Sequence, residues 1–343
     1  MSGETTPRDV ARLPVKEAVR GRSPLSDAIR QLLKNRVAVA SGIFIIVLIL
    51  IAIFVDTALF TFFTGAETQP LIAPYHFAEV SFRDNNAPPL TRTEDGKFFL
   101  LGADYLGRDI LSRTLYGSRV SLAVAFVAAF VSLIIGVVYG LISGYASTRV
   151  DNIMMRFVDF LYGFPLIIFI ILMQVYFKAL SRQGGGEGIG GMLISIDNSM
   201  GGVFFLFIAI GFLNWLGMAR IARGQTLSLK EKEFVEAAQA VGANDQRIVF
   251  RHLLPNILGP CIVYETLQIP AYIFLEAFLS FIGLGVNPPT ASWGIMISET
   301  YQGMRVYPHA VFVPAAALVL TTLAFNFLGD GLRDAFDPRM RGE

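Results

Sequence analysis

The chain has 343 residues and a formal net charge of +1, with 54% hydrophobic and only 16% charged residues and a mean hydropathy of +0.56. A soluble domain carries about a quarter charged residues, and so balanced a charge offers nothing to nucleic acid. The single cysteine, Cys261, excludes an intrachain disulfide and, set in an apolar run, reads as a small core residue.

In chain order, residues 1–36 form a polar, basic tail whose last part, Ser26–Arg36, is amphipathic and leads into the first apolar run at 37–63. That run starts late and is too long for a secretory signal, so it reads as a retained anchor. An outer loop over 64–117, with Pro70, Pro74, Pro88 and Pro89, is expected to be irregular until a short helix near Asp109–Tyr116. A core over 118–330 holds five further apolar runs, at roughly 119–146, 157–177, 200–219, 256–284 and 308–329. Each is long enough to cross a bilayer core, which takes about 20 residues, and in lipid such runs must be helical. The fold class is therefore all-α and polytopic, with about six spans. Gly136, Gly140 and Gly144 form overlapping G-x-x-x-G steps on one face of the second span, which predicts close packing on another helix. Pro165, Pro260, Pro270 and Pro314 fall inside or at the starts of spans, and Pro270 should bend the fifth. The glycines between Gly184 and Gly191 predict a flexible turn, and 331–343 is a short C-terminal tail. With both termini inside, nineteen of the 28 Lys and Arg fall on inner segments, which favours that orientation.

Catalytic motifs are scarce. No G-x-x-x-x-G-K-[ST] occurs, so the chain carries no P-loop of its own. Gly186–Gly191 fits G-x-G-x-x-G, but it lies in an outer loop with no strand expected before it. His76, His252 and His309 lack metal-ligand spacing, and no nucleophile elbow is present. The sequence offers no catalytic residues and no metal site.

The informative segment is the inner loop 231–255. Phe234, Ala238 and Val241 share one face of a short helix, with Ala237 beside them. Gly242 can end that helix in the left-handed conformation, and Asn244 or Asp245 can cap a second short helix carrying Ile248, Val249, His252 and Leu253. Pro255 should mark a break before the fifth span. An apolar-faced helix pair in water at a membrane suits a protein partner; the bland alternative is a loop resting on lipid.

Glu236-Ala237-Ala238, then Gly242, then His252-x-Leu254-Pro255 resembles the EAA loop of ABC-importer permeases. The general pattern has isoleucine where His252 stands, and His-x-Leu-Pro-Asn is similar to the dipeptide/oligopeptide branch. The same branch is resembled by Leu101–Asp109 with Ser112, Arg113, Gly117 and Arg119, although Ala103 stands where threonine is common. It is resembled again by Glu276–Gly285 with Pro288, Trp293 and Gly294, and by Asn326–Asp334 with Asp337-Pro338-Arg339. These matches run through roughly residues 30–340 in family order and resemble the second permease of the pair.

The resemblance implies a type I ABC importer permease fold in a prokaryotic cytoplasmic (inner) membrane, moving di- or oligopeptides. It further implies a homologous permease partner in a heterodimer, two cytoplasmic ATPases that bind the ATP and Mg, and an extracytoplasmic binding protein. This chain would bind no cofactor and would not itself be an enzyme. The loop would be the coupling helix, with Glu236 as charged contact, Ala237 and Ala238 as close-fitting surface and Gly242 as turn. Related systems carry nickel chelates, antimicrobial peptides or oligosaccharides. The rival class is an ion-coupled secondary transporter, which would need no such loop.

Among charges in the spans, Glu265 lies about a third to halfway along the fifth. Intramembrane carboxylates are costly and face a water-filled path or a partner. Glu265 can meet the amine of a passing peptide or be held by hydrogen bonds as a structural group. Glu276, Asp159 and Asp330 lie nearer the interfaces and read as structural.

Overall fold

The computed structural model describes residues 24–58, 68–182 and 188–336. Eleven helices occur among the described residues: α1 Pro24–Lys34, α2 Arg36–Phe54, α3 Ile110–Tyr145, α4 Thr148–Tyr162, α5 Leu166–Arg182, α6 Ile189–Ser199, α7 Phe204–Lys230, α8 Glu233–Ala240, α9 Asp245–Phe281, α10 Trp293–Thr300 and α11 Pro308–Phe336. Five of them (α2, α3, α7, α9 and α11) are long and apolar enough to cross a membrane, and the bent pair α4–α5 brings the number to six if it is one span.

The bend between α4 and α5 is 71°. Gly163 closes α4 by donating its N–H to Asp159 and Phe160 carbonyls, both at 3.1 Å. Pro165 then disfavours helical backbone at Phe164 and starts α5 by accepting from Ile168 N at 2.9 Å.

Helices α3 and α7 form the centre. A Cβ on Gly136 would meet Met218 Cβ at 2.5 Å, one on Gly140 would meet Ala222 Cβ at 2.7 Å, and one on Gly144 would meet Thr226 Cβ at 2.8 Å. The glycine stripe thus lets the two backbones approach as the spacing predicts. Around this seam Leu122, Ala125 and Ala128 of α3 pack with Leu206 and Ile210 of α7, Ile273 of α9 and Phe325 of α11.

Several elements differ from the sequence expectation. The first run is helical only to Phe54; Val55–Thr57 leave the helix, and 59–67 lie outside the described residues. The short helix expected at Asp109–Tyr116 is instead the first two turns of α3, one helix of 36 residues. Arg119 lies within the helix, donating to Ala52 O of α2 and to Asp56 Oδ1 just after it, each at 2.8 Å, so its charge imposes no break. Pro255 does not interrupt α9. The backbone widens into a π-turn over Ile248–Leu253, with Leu254 N donating to Val249 O, and the chain absorbs a residue that has no N–H without ending the helix. Gly190 and Gly191 are helical, in α6, because Gly188 makes the turn at φ +80°; Gly184–Gly186 and Glu187 lie outside the described residues, and so do Asp337, Pro338 and Arg339. The rest of the outer loop is mostly irregular, with a two-stranded antiparallel hairpin of β1 Thr91–Arg92 and β2 Phe98–Phe99.

This loop is fixed to the helices by buried charges. Asp104 receives Arg108 Nε at 2.7 Å and Arg113 Nη1 at 2.5 Å. Glu299 of α10 meets Arg108 Nη2 at 2.8 Å and Arg113 Nη2 at 2.9 Å. Two cations and two anions therefore alternate in one square. Asp109 caps α3, its Oδ2 accepting from Ser112 N at 2.7 Å and from Ser112 Oγ at 2.6 Å. Burial nevertheless pushes this carboxyl above its ordinary value, against the lowering effect of the Ser112 bonds.

Candidate functional site

The inner loop folds as two helical pieces around a small apolar centre. In α8, Val235 is buried and packs with Ile248 and Leu253 of α9, with Tyr145, Leu229, Ala243 and Val249 around them. Gly242, at φ +86°, ends α8. Its N–H donates to Gln239 O at 2.9 Å and Ala243 N donates to Ala238 O at 3.0 Å. This pair of bonds is a Schellman closure, which needs a left-handed residue at that point. Nothing stands within 4 Å of a Cβ built at Gly242, so the glycine serves the backbone rather than a close approach. Asn244 then caps α9, accepting from Arg247 N at 2.9 Å.

The face read as apolar from the sequence points outward. Phe234 is 41% and Val241 89% exposed; Glu236 and Ala237 are exposed and Ala238 is half-buried. The inward contact is Val235, one position from the predicted set, because the helix is only eight residues long and anchors through a single side chain. Phe250, 67% exposed, extends the outward apolar area. His252 is half-buried, its ring 6.5 Å from that of Phe234. Leu254 faces in, packing on the cluster of Met218, Ile257 and Cys261, whereas Pro255 is exposed. The structure thus gathers Glu236, Ala237, Gly242 and Pro255 at the surface and turns Leu254 into the bundle.

The anchoring residues were not legible as a set. Tyr145, at the end of α3, donates its hydroxyl to Asp245 Oδ1 at 2.7 Å. Arg223 of α7 clamps Asp151 of α4 with Nε at 2.6 Å and Nη2 at 2.5 Å, while Ser143 Oγ donates to the same carboxylate at 2.5 Å. Lys230 Nζ donates to Gly144 O at 3.0 Å. Apart from Ser143 and Asp151, eight residues apart, these pairs join segments more than seventy residues apart, and only the count of inner basic residues hinted at them.

Glu265 is buried in α9. Its carboxylate accepts from Ser132 Oγ of α3 at 3.2 Å and from Tyr272 hydroxyl at 2.8 Å. The residue also lines a groove of about 450 Å³ between α3 and α9, beside Phe130, Leu133, Ile262 and Ile269. Glu276 is buried and accepts from Ser121 Oγ at 2.8 Å and Ser280 Oγ at 2.7 Å. Asp159 forms an exposed pair with Arg220 at 2.6 Å, and Asp330 is exposed. Among the described residues no three His, Cys, Asp or Glu side chains converge as a metal site.

Comparison with known proteins gives two family matches. Residues 136–342 match the family described as "Binding-protein-dependent transport system inner membrane component". Residues 23–89 match the "N-terminal TM domain of oligopeptide transport permease C". Among curated relatives, the oligopeptide transport system permease protein OppC of Escherichia coli (strain K12) is 43% identical over 95% of this chain and 95% of its own length. The dipeptide transport system permease protein DppC of Bacillus subtilis (strain 168) is 39% identical over 92% of this chain and 86% of its own. The glutathione transport system permease protein GsiD of Pectobacterium atrosepticum is 36% identical over 97% of each.

Proposed function

The chain belongs to the family of binding-protein-dependent transport system inner membrane components, with the type I ABC importer permease fold, and from that premise we propose that it moves di- or oligopeptides inward through this membrane. The observation that carries the proposal is the outward-facing surface of α8, at the base of a bundle whose sequence has no nucleotide-binding loop. In this reading the chain takes its driving force from a partner that binds ATP. Similarity to oligopeptide and dipeptide permeases over nearly its whole length supports peptides above nickel chelates or oligosaccharides.

In this reading the chain pairs with a homologous permease, and two ATPases that bind ATP and Mg sit beneath the pair. A binding protein delivers substrate from outside. Closure of the ATPases on ATP draws the two α8 helices together. Because α8 is tied to α3 through Tyr145 and to the rest of the bundle through α9, that motion tilts the spans as rigid bodies. Phe234, Ala237 and Val241 would fill the ATPase groove, with Glu236 as the charged contact.

Reconstitution in liposomes tests this. With the partner permease, ATPases and binding protein, labelled peptide uptake should require ATP; the isolated chain should neither bind nor hydrolyse it. Saturable hydrolysis by the isolated chain, or uptake that an ion gradient drives without ATP, sinks the reading. The inward placement of the C-terminus and of α8 has its own check: an impermeant thiol reagent on intact cells should label a cysteine placed at Asn86 but not one at Gly242 or Gly342.

Glu265 is proposed as a group on the translocation path, since the residue lines the groove between α3 and α9 while its carboxylate is bonded to Ser132 and Tyr272. Glu265→Gln should reduce uptake of peptides with free N-termini several-fold while leaving assembly and basal ATP hydrolysis intact. Failure of the complex to assemble assigns Glu265 a structural role instead, and unchanged uptake removes it from the path.

A further inference from the structure

Helix α1 carries a surface that the bundle leaves uncovered. It stops at Asn35, where the backbone turns extended. Asn35 Oδ1 accepts from Val37 N and Ala38 N at 3.1 Å and starts α2. At about 100° per residue, Ile29 and Leu33 lie together, Leu32 falls on one side of them, and Arg30 and Lys34 lie together on the other. Leu32 is the inward residue: its Cδ1 would stand 3.1 Å from a Cβ on Gly331 of α11. Ile29 and Leu33 are 51% and 63% exposed, and Arg30, Lys34 and Arg36 are exposed around them.

This stripe does not end with the helix. Val37, the next outward residue, is 55% exposed at the start of α2, and α2 exposes Ile43, Ile46, Val47 and Leu50 further along. These residues belong to a helix long and apolar enough to cross the membrane, so its inner end places α1 at the bilayer boundary. The α1 stripe adjoins it at the level where the span enters the bilayer, and the cations flank the stripe rather than oppose it. An apolar strip edged by long basic side chains suits a bilayer interface, where the stems lie along the acyl boundary and the charges reach the headgroups.

We propose that α1 lies in the membrane interface and forms a binding surface for anionic lipid, with Ile29 and Leu33 in the acyl boundary and Arg30, Lys34 and Arg36 on headgroup phosphates. The proposal needs only that α2 spans the membrane and stands apart from the identity of the transported substrate.

Cys261, the single native cysteine, is buried, so nitroxides introduced through Ile29→Cys or Leu33→Cys report alone. The full complex would be placed in nanodiscs of phosphatidylglycerol and phosphatidylethanolamine. Oxygen should reach both labels several-fold better than a water-soluble nickel chelate does. The reverse order, which means water, or low access to both, which means a protein contact, overturns the proposal. Arg30→Gln/Lys34→Gln, with Arg36 kept because it borders the span, should retain less phosphatidylglycerol through purification, by about fivefold per cation removed. Retention equal to the parent's overturns the anionic preference.

Discussion

A Gly242→Val variant is expected to lose most transport while its spans insert and its complex still assembles. Gly242 holds φ +86°, a region where a residue with Cβ pays about 1–2 kcal/mol, more for a β-branched side chain. A strain of that size lowers the population of the native turn roughly five- to thirtyfold. No neighbour lies within 4 Å of the added Cβ, so the cost is conformational and stays local. The Schellman bonds from Gly242 and Ala243 would open, and with them the fixed angle between α8 and α9. Stimulation of ATP hydrolysis by the loaded binding protein should fall together with transport, and peptide binding to that protein should not change. Gly242→Asn sharpens the test, because asparagine tolerates the left-handed region better and should keep most activity. Normal transport by an assembled Gly242→Val complex would mean that this loop does not couple the ATPases to the spans. Glu236→Lys, which reverses a charge on the same surface, should act in the same direction.

The turn at Gly242 and the glycine face of α3 were legible because each rests on a local rule. A helix followed by glycine and then Asn-Asp predicts a left-handed stop and a new cap, and three glycines at four-residue spacing predict a close helix contact whatever the partner. What could not be read was long-range or compensatory. The short helix expected at Asp109–Tyr116 is the start of α3, and Arg119 sits within that helix because Asp56 and the Ala52 carbonyl satisfy it. Pro255 looked like a break, but a π-turn took up the missing donor. For α8 the periodicity picked out the apolar residues that face outward, and the inward contact falls to Val235 alone. An eight-residue helix is too short for periodicity to decide which side faces in. Glu265 shows the same limit, since the sequence left a path residue and a bonded structural carboxylate open. Tyr272 lies two turns along the same helix face, but Ser132 comes from α3, which no local pattern connects to Glu265.

The other large effect should come from Arg113→Met. Arg113 is 1% exposed and faces Asp104 and Glu299 at once, with Arg108 as the second cation of the square. Removing Arg113 leaves one buried carboxylate, Asp104, and one half-buried carboxylate, Glu299, sharing one guanidinium. Breaking a buried pair by deleting one partner costs about 3–5 kcal/mol, because the remaining charge is desolvated without compensation. That cost falls where the outer loop, α3 and α10 meet, so the outer segment should loosen while the inner loop stays in place. Limited proteolysis of the solubilised complex should cut within 68–107 much faster than in the parent, and thermal unfolding should begin at a lower temperature. Arg113→Lys should fall between the two, since an ammonium keeps the charge but not the fork that reaches both carboxylates. Adding Glu299→Gln to Arg113→Met restores the balance of one cation and one anion. The double variant should therefore be less destabilised than the sum of the singles, which marks the pair as coupled. If Arg113→Met unfolds with the parent and its loop resists protease equally well, the buried charges do not hold the outer segment, and the apolar contact of Ile110 with Met296 and Ala310 carries that junction instead.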